Sequence, residues 1–380
     1  MVALNPISSY KRLVIKIGSA LLVDNKTGLL RSNWLNSLCQ DIAELQLQNY
    51  EIIIVSSGAM MLGRQILSLN AKNLTLEKLQ ACASVGQIAL SQNWTNALSK
   101  YDLVGGQILI TPNITEQRRF YLNAQTTINT LLELKAVPVI NENDSVATAE
   151  IRYGDNDRLS ARVASMIEAD CLIILSDVDG LYSAPPQSDE SAKHIAKVSE
   201  IGSEIEAMAG ASSSHLARGG MITKIEAAKI ATQSGTDMII TSGTKNHSLK
   251  TLIDGAKHTL FSANQCPQSA RKRWILGTLE IAGKIYIDEG AAKALKNGNS
   301  LLPIGVTKVE GEFSRGDIVA IFCSNEKEIA RGLAGMDNID ANLAKGKNSE
   351  AIFELFETIS RTELVHADNL VLVTSNIGIK

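Results

Sequence analysis

Short runs of apolar, mostly β-branched residues recur along the first two thirds of the chain, and each stops abruptly at small or acidic residues. "RLVIKI" (12–17) runs into Gly18 and Ser19, and "EIIIV" (51–55) into "SSGAM". "VPVI" (137–140) meets "NENDS", "CLIIL" (171–175) meets "SDVDG", and "DMIIT" (237–241) meets "SGTKN". Runs without polar alternation are the pattern of strands buried on both faces. Between them, "SNWLNSLCQDIAELQLQN", "TLEKLQACASVGQIALSQNWTNALSK", "RFYLNAQTTINTLLELK", "RLSARVASMIEAD" and "MITKIEAAKIATQSG" carry helical periodicity. The last sets Met221, Ile225 and Ala228 on one face, with Lys224, Glu226 and Lys229 off it, and Gly235 ends it. Alternating strands and helices predict an α/β domain with a mainly parallel sheet. Ligands of such sheets bind beyond the carboxyl ends of the strands. Here those ends are small, polar and acidic, which suits a charged ligand held by many bonds.

The texture changes near residue 265. "SANQCPQSARKRW" reads as a linker with a short basic run, Arg271-Lys272-Arg273. Beyond it, "TLEIAGKIYID", "SLLPIGVTKVEGEF", "GDIVAIFC" and "EIARGLA" alternate in short segments broken by glycine turns. That pattern predicts a small, twisted β-barrel or sandwich.

Composition narrows the field. At 380 residues the chain can bury two cores, and 45% hydrophobic with 20% charged residues is ordinary for a globular protein. A net charge of −3 gives no long-range attraction for nucleic acid or an acidic membrane. Cys39, Cys82, Cys171, Cys266 and Cys323 lack metal-site spacing, and the first three sit in apolar surroundings expected to hold buried, reduced thiols. No apolar run reaches membrane-spanning length and the N-terminus lacks a signal-peptide core, so a cytoplasmic location is expected.

Several residues suggest chemistry. Lys16 interrupts an apolar strand just before Gly18: a lysine snorkelling from an edge strand, or one that meets a phosphate. Ser57 with Ser56 and Gly58 opens a helix, as a plain cap or as donors for an anion. Gly219 and Gly220 precede a helix with Lys224 near its start, a phosphate-site composition without the GxxxxGK[ST] spacing. The run "GAMMLGRQ" fails that spacing too, because Arg64 and Gln65 replace the required Lys and hydroxyl. Asn141, Glu142, Asn143, Asp144, Asp155, Asn156 and Asp157 are packed more densely than turns require. Asp177 begins no calcium loop, since the twelfth position is Ser188, and is open to a nucleotide contact. The five histidines are isolated, and neither a metal site nor a Ser-His-Asp hydrolase is supported.

Together "VIKIGSALL", "IIIVSSGAM", "VPVINENDSVATAEIRYGDNDRLSA", "LSDVDGLY" and "GGMITKIEAA" resemble the amino acid kinase family. "RKRWILG", "DEGAAKAL", "SLLPIGV" and "GEFSRGD" resemble its C-terminal PUA domain. The resemblance implies a three-layer amino acid kinase fold with a mainly parallel sheet over 1–264 and a small β-barrel-like PUA domain over 271–380. It implies phosphorylation of the γ-carboxylate of L-glutamate by ATP with Mg²⁺, the first step of proline biosynthesis, in a homo-oligomer, with proline as a feedback inhibitor. Lys16, Lys224 and Asp157 match catalytic positions, and Ser57, Asp144 and Asn156 match substrate-binding ones. Lys16, Ser176, Asp177 and the turn Arg218, Gly219, Gly220, Met221, Ile222, Thr223 and Lys224 match the ATP site. The turn departs from the family's GTGGM at Ala217 and Arg218. A carboxylate acceptor, ionised above a pKa of about 4.3, needs no general base, which agrees with the isolated histidines. A kinase of acetylglutamate or aspartate is the nearest alternative. RNA binding by the PUA domain is a minority one, since from Gln265 onward 14 Lys and Arg face 15 Asp and Glu.

Overall fold

The computed structural model describes residues 5–24, 27–69, 74–111, 118–146, 156–186, 189, 191–211, 220–264, 266–267, 275, 281–356 and 362–373. Ala217, Arg218, Gly219, Asp155 and the Arg271-Lys272-Arg273 run lie outside them. The chain divides into two compact units, Met1–Glu116 with Ala124–Pro267, and Gln117–Asn123 with Gln268–Lys380.

The first unit is built on one sheet. The five apolar runs form β1 (Arg12–Ile17), β2 (Glu51–Ser56), β4 (Val137–Glu142), β5 (Cys171–Ser176) and β9 (Asp237–Ser242). Three strands outside that reading join them: β3 (Gly105–Ile110), β8 (Lys197–Val198) and β10 (His258–Phe261). The order is β3-β4-β2-β1-β5-β9-β10-β8, parallel from β3 to β9, with β10 antiparallel to β9. A two-stranded ribbon, β6 (Leu181–Tyr182) with β7 (His194–Ile195), stands beside it. The chain winds from β1 toward β2 and later returns to β5 on β1's other side. The carboxyl ends of β1 and β5 therefore flank a topological switch point. In register, Ile17 pairs with Ser56 and Leu175, and Ser176 with Ser242, so the polar strand ends stand in one row.

Side-chain alternation assigns the faces. Leu13, Ile15, Ile17, Ile52, Ile54, Ile173 and Leu175 share a core with Trp34, Leu38 and Ile42 of α2 (Ser32–Leu47) and Leu90 and Trp94 of α4 (Leu76–Ser99). Val14 and Lys16 take the opposite face by the two-residue period. That face packs against α6 (Asn156–Met166), which in turn packs on α8 (Met221–Gln233). The remaining helices are α1 (Ser19–Leu22), α3 (Ala59–Ile66), α5 (Arg118–Glu133), α7 (Ser203–Ala211) and α9 (Ser248–Ile253). With helices on both faces, the sheet is the middle of three layers.

One expectation is corrected in α8. Lys224 does not lie off the buried face: it is buried with Ile225, Ala227, Ala228 and Ala231. The stripe of small alanines leaves room for a lysine stem, which the apolar pattern alone conceals. Glu226 and Lys229 do point away, to Arg158 and Glu206. Gly235, at φ +87, closes the helix, with Thr236 N–H donating to Ala231 C=O and Gly235 N–H to Thr232 C=O.

Gly63 is explained by packing. A Cβ on Gly63 would overlap the carbonyl of Cys82, and one on Gly86 would overlap the carbonyl of Ala59. The "GAMMLGRQ" glycine thus lets α3 cross α4 backbone to backbone.

The second unit holds a five-stranded sheet, β12-β11-β13-β14-β15, made of Val306–Gly311, Gly283–Ile287, Ile318–Phe322, Glu328–Leu333 and Leu370–Leu372. Among the described residues three short α-helices accompany it, α10 (Glu289–Lys296), α11 (Asn338–Ala344) and α12 (Ser349–Leu355). Each starts from a side-chain cap: Asp288 accepts from Ala291 N–H, Asp337 from Asp340 N–H and Asn348 from Ala351 N–H. No described helix is long and apolar enough to cross a membrane.

Candidate active site

Asp157 organises the centre. It stands in the first turn of α6, 1% exposed, facing the Lys16 side of the sheet. Lys16 Nζ lies 2.6 Å from its Oδ1 and Lys224 Nζ lies 3.4 Å from its Oδ2. Thr223 Oγ1 donates to the same Oδ2 at 2.7 Å and sits 2.9 Å from the Gly220 carbonyl. Both lysines are buried, at 7% and 6% exposure. Burial pushes the Asp157 carboxyl up, but Lys16 and Lys224 outweigh it and hold the group below its ordinary value. One carboxylate against two ammoniums leaves net positive charge within this trio. A Cβ on Gly18 would come 3.8 Å from Lys16 Nζ, an ordinary van der Waals contact, so Gly18 lies directly beside that ammonium.

On one side of this centre is a cavity of about 700 Å³, lined among others by Asp177, Gly220, Met221, Lys224, Ser242 and Lys257. The start of α8 opens into it. Gly220 is extended and supplies no side-chain cap, so the first N–H groups and the positive end of the helix dipole face the space. Ser176 stands just behind, its Oγ donating to Asp177 Oδ1 at 3.0 Å. Ile222 is 43% exposed. Arg218 and Gly219 lie outside the described residues.

Sequence reasoning missed part of the wall. Tyr182 and Lys257 line the cavity, with Tyr182 O–H donating to Asp179 Oδ1 at 3.0 Å and Lys257 Nζ 3.9 Å from Asp179 Oδ2. They come from the β6–β7 ribbon and from the turn before β10, neither of which carries a strong pattern. The opposite wall is braced by α2. Trp34 Nε1 donates to Gly243 C=O at 2.7 Å, and buried Asp41 accepts the N–H groups of Leu249 and Lys250 at 3.1 and 3.3 Å. Asp41 Oδ1 also meets His247 Nδ1 at 2.8 Å.

On the other side, Asn156 joins the ends of β2 and β4. Its Nδ2 donates to Ser57 Oγ at 2.7 Å and to Asn141 Oδ1 at 3.0 Å. Ser56 is fully buried, accepting from Trp94 Nε1 at 2.9 Å. Asp144 lies in the turn after β4 and lines a smaller cavity of about 240 Å³ with Ala59, Gln87 and Asn143. Burial pushes its carboxyl up to about 6. No hydrogen bond among the described residues ties Asp144 to Ser57 or Asn156. Lys16, Asp157, Asn156 and Ser57 are thus contiguous, and Asp144 lines the smaller cavity.

No group of three or more His, Cys, Asp or Glu among the described residues is arranged to hold a metal ion. Cys39, Cys82 and Cys171 are buried free thiols.

The amino acid kinase family model matches residues 11–242 and the PUA domain model residues 283–355. Glutamate 5-kinase from Sinorhizobium fredii is 54% identical over 97% of this chain and 93% of its own length. Glutamate 5-kinase from Agrobacterium fabrum is 52% identical over 99% of this chain and 96% of its own. Among solved structures, carbamate kinase from Giardia lamblia bound to AMP-PNP is similar at a TM-score of 0.49 with 18% identity, covering 68% of this chain and 100% of that one. The chain belongs to the amino acid kinase family, in its glutamate 5-kinase branch, and carries a C-terminal PUA domain.

Proposed function

We propose that this protein transfers the γ-phosphoryl group of ATP to the γ-carboxylate of L-glutamate, giving L-glutamyl 5-phosphate at the first step of proline biosynthesis. The observation that carries the reading is the convergence of Lys16 and Lys224 on Asp157, between a cavity that admits a nucleotide and a polar pocket built from Ser57 and Asn156. ATP lies in the larger cavity, with its phosphates at the start of α8 and its remaining groups toward Asp177 and Ser176. Gly220 and Met221 leave space or backbone donors for the phosphates, and Arg218 and Gly219, which precede them in sequence, are assigned to the same ATP site. Ile222 contributes through the backbone, and Thr223 fixes the rotamer of Asp157.

Glutamate lies against Ser57, Asn156 and Asp144. Its γ-carboxylate is already the nucleophile at neutral pH, so the protein supplies alignment and positive charge rather than a base. Lys16 and Lys224 neutralise charge on the transferring group and Asp157 holds the two ammoniums in place. Mg²⁺ fits as a companion of the nucleotide: it favours one or two carboxylates plus substrate phosphates over an all-protein cage. When bound it would add charge neutralisation to that of the lysines.

Hydroxylamine trapping tests the reading. ATP, Mg²⁺ and L-glutamate should yield a hydroxamate, and aspartate and acetylglutamate should not. Product from either of those in place of glutamate would reassign the substrate.

A further inference from the structure

Asn156 Nδ2 donates to Ser57 Oγ and Asn141 Oδ1 at 2.7 and 3.0 Å, with the Ser56 carbonyl a longer third acceptor at 3.4 Å. Asn141 Nδ2 in turn donates to Gln87 Oε1 at 2.8 Å. Gln87 Nε2 donates to Ser91 Oγ at 3.4 Å, and Ser91 donates to Gln107 Oε1 at 2.6 Å. An amide has one donor end and one acceptor end, so orienting Gln87 fixes the sense of each bond beyond it. Ser57 Oγ therefore receives a hydrogen, and its own hydrogen has no acceptor among the described residues. Asn156 Oδ1 accepts no hydrogen bond among the described residues.

Reversing the chain of bonds would reverse the site. Asn156 would then turn its oxygen to Ser57, the serine hydrogen would be consumed internally, and an –NH₂ group would face the ligand. The reversed sense still pairs the amides with one another but turns Asn156 Oδ1 toward the Ser56 carbonyl, which lies 3.4 Å from Nδ2. That carbonyl favours the present sense at the inner end, and the outer end needs a selector of its own. Gln87 is placed to do so: it carries the link between the outer Ser91–Gln107 pair and the inner asparagines. It also lines the 240 Å³ cavity that contains Asp144.

We infer that Gln87 is a positioning residue that sets the polarity of the amino acid pocket, so that Ser57 offers a hydrogen to a carboxylate and Asn156 an oxygen to an ammonium. The inference rests on the reading that Ser57 and Asn156 hold glutamate. It assigns the pocket's preference for a zwitterion to a helix residue that need not touch the substrate.

A double-mutant cycle tests it. Gln87→Met keeps the side-chain length and removes both polar ends. It should raise KM for glutamate about tenfold, the scale of one lost hydrogen bond. KM for ATP should stay within about twofold, because Gln87 acts through Ser57 on a different substrate. In a Ser57→Ala background the same substitution should change KM for glutamate by less than about twofold. Equal effects in both backgrounds, or a parallel rise in both KM values, would show packing rather than polarity and overturn the inference. Should Gln87→Met fail to fold, Ser91→Ala serves instead. It removes the outer lock from a helix position that alanine suits, and must raise KM for glutamate at least about twofold; no change overturns the inference. A wild-type enzyme that makes no hydroxamate from glutamate removes the functional reading itself. An active wild type with additive variants removes the role of Gln87 alone.

Discussion

Lys16 and Lys224, more than 200 positions apart in the chain, reach the two oxygens of one buried carboxylate from a strand and from a helix. Their separation is held by Asp157, and the consequence is an asymmetry between variants. Lys16→Ala and Lys224→Ala should each lower kcat by about 10²–10³-fold, the scale of removing one charge-stabilising donor. Each leaves Asp157 still paired. Asp157→Asn leaves two buried ammoniums without a counter-ion and should cost about 3–5 kcal/mol of unfolding free energy, more than either lysine variant. Urea titration beside steady-state kinetics checks both halves. An Asp157→Asn protein as stable as wild type would refute the ion-pair account.

The two site carboxyls should respond to pH in opposite senses. Asp157 is held below its ordinary value, so its contribution to stability is present above pH about 4 and is lost as pH falls through the depressed folded value. Asp144 is raised by burial to about 6. Between about 4 and 6 the folded state holds its proton where the unfolded state does not, so its contribution declines as pH rises. Once ionised, Asp144 can receive an ammonium. The kcat/KM for glutamate should therefore rise through pH about 6 and level off, with the rising limb absent in Asp144→Asn. An unchanged limb in that variant would assign it to another group.

The α3–α4 crossing has no room for a methyl group. Gly63→Ala and Gly86→Ala should each destabilise the protein by about 1–3 kcal/mol, since backbone rather than a mobile side chain must yield. Because α3 begins next to Ser57 and Gly58, KM for glutamate should rise as well. Thermal unfolding and kinetics report the two effects, and a neutral Gly63→Ala would show that the helices can part freely.

Asp41 is expected to act at a distance on nucleotide binding. It caps α9 and fixes His247, and Lys245 and Ser248 on either side of that histidine line the large cavity. Asp41→Ala should cost about 1–2 kcal/mol, as loss of a helix cap does, and raise KM for ATP more than KM for glutamate. A rise confined to glutamate would contradict the placement.

The legible part of the fold was the part that physical pattern dictates. Strands β1, β2, β4, β5 and β9 are buried on both faces and therefore read as unbroken apolar runs. Strand β3 escaped because it opens with Gly105-Gly106 and lies at the sheet edge, where no continuous run is required. The helices α10, α11 and α12 escaped because they are short, although Asp288, Asp337 and Asn348 marked their starts. Lys16 was readable as a polar break in an apolar strand. Lys257 and Gln87 were not, because their partners Asp179 and Asn141 are far away in sequence, and Tyr182 was not, because its place on the cavity wall depends on the pairing of β6 with β7. Lys224 was found as chemistry and misplaced as geometry, since a stripe of alanines looks the same whether it faces a core or shelters a lysine.

The bonds running from Gln107 through Ser91, Gln87, Asn141 and Asn156 to Ser57 contain amides and hydroxyls only. None of these groups gains or loses a proton near neutrality. The orientation of the amino acid pocket is thus insulated from acidity, while its charge is not. Across the range where Asp144 titrates, the protein keeps the same grip and changes only its electrical welcome.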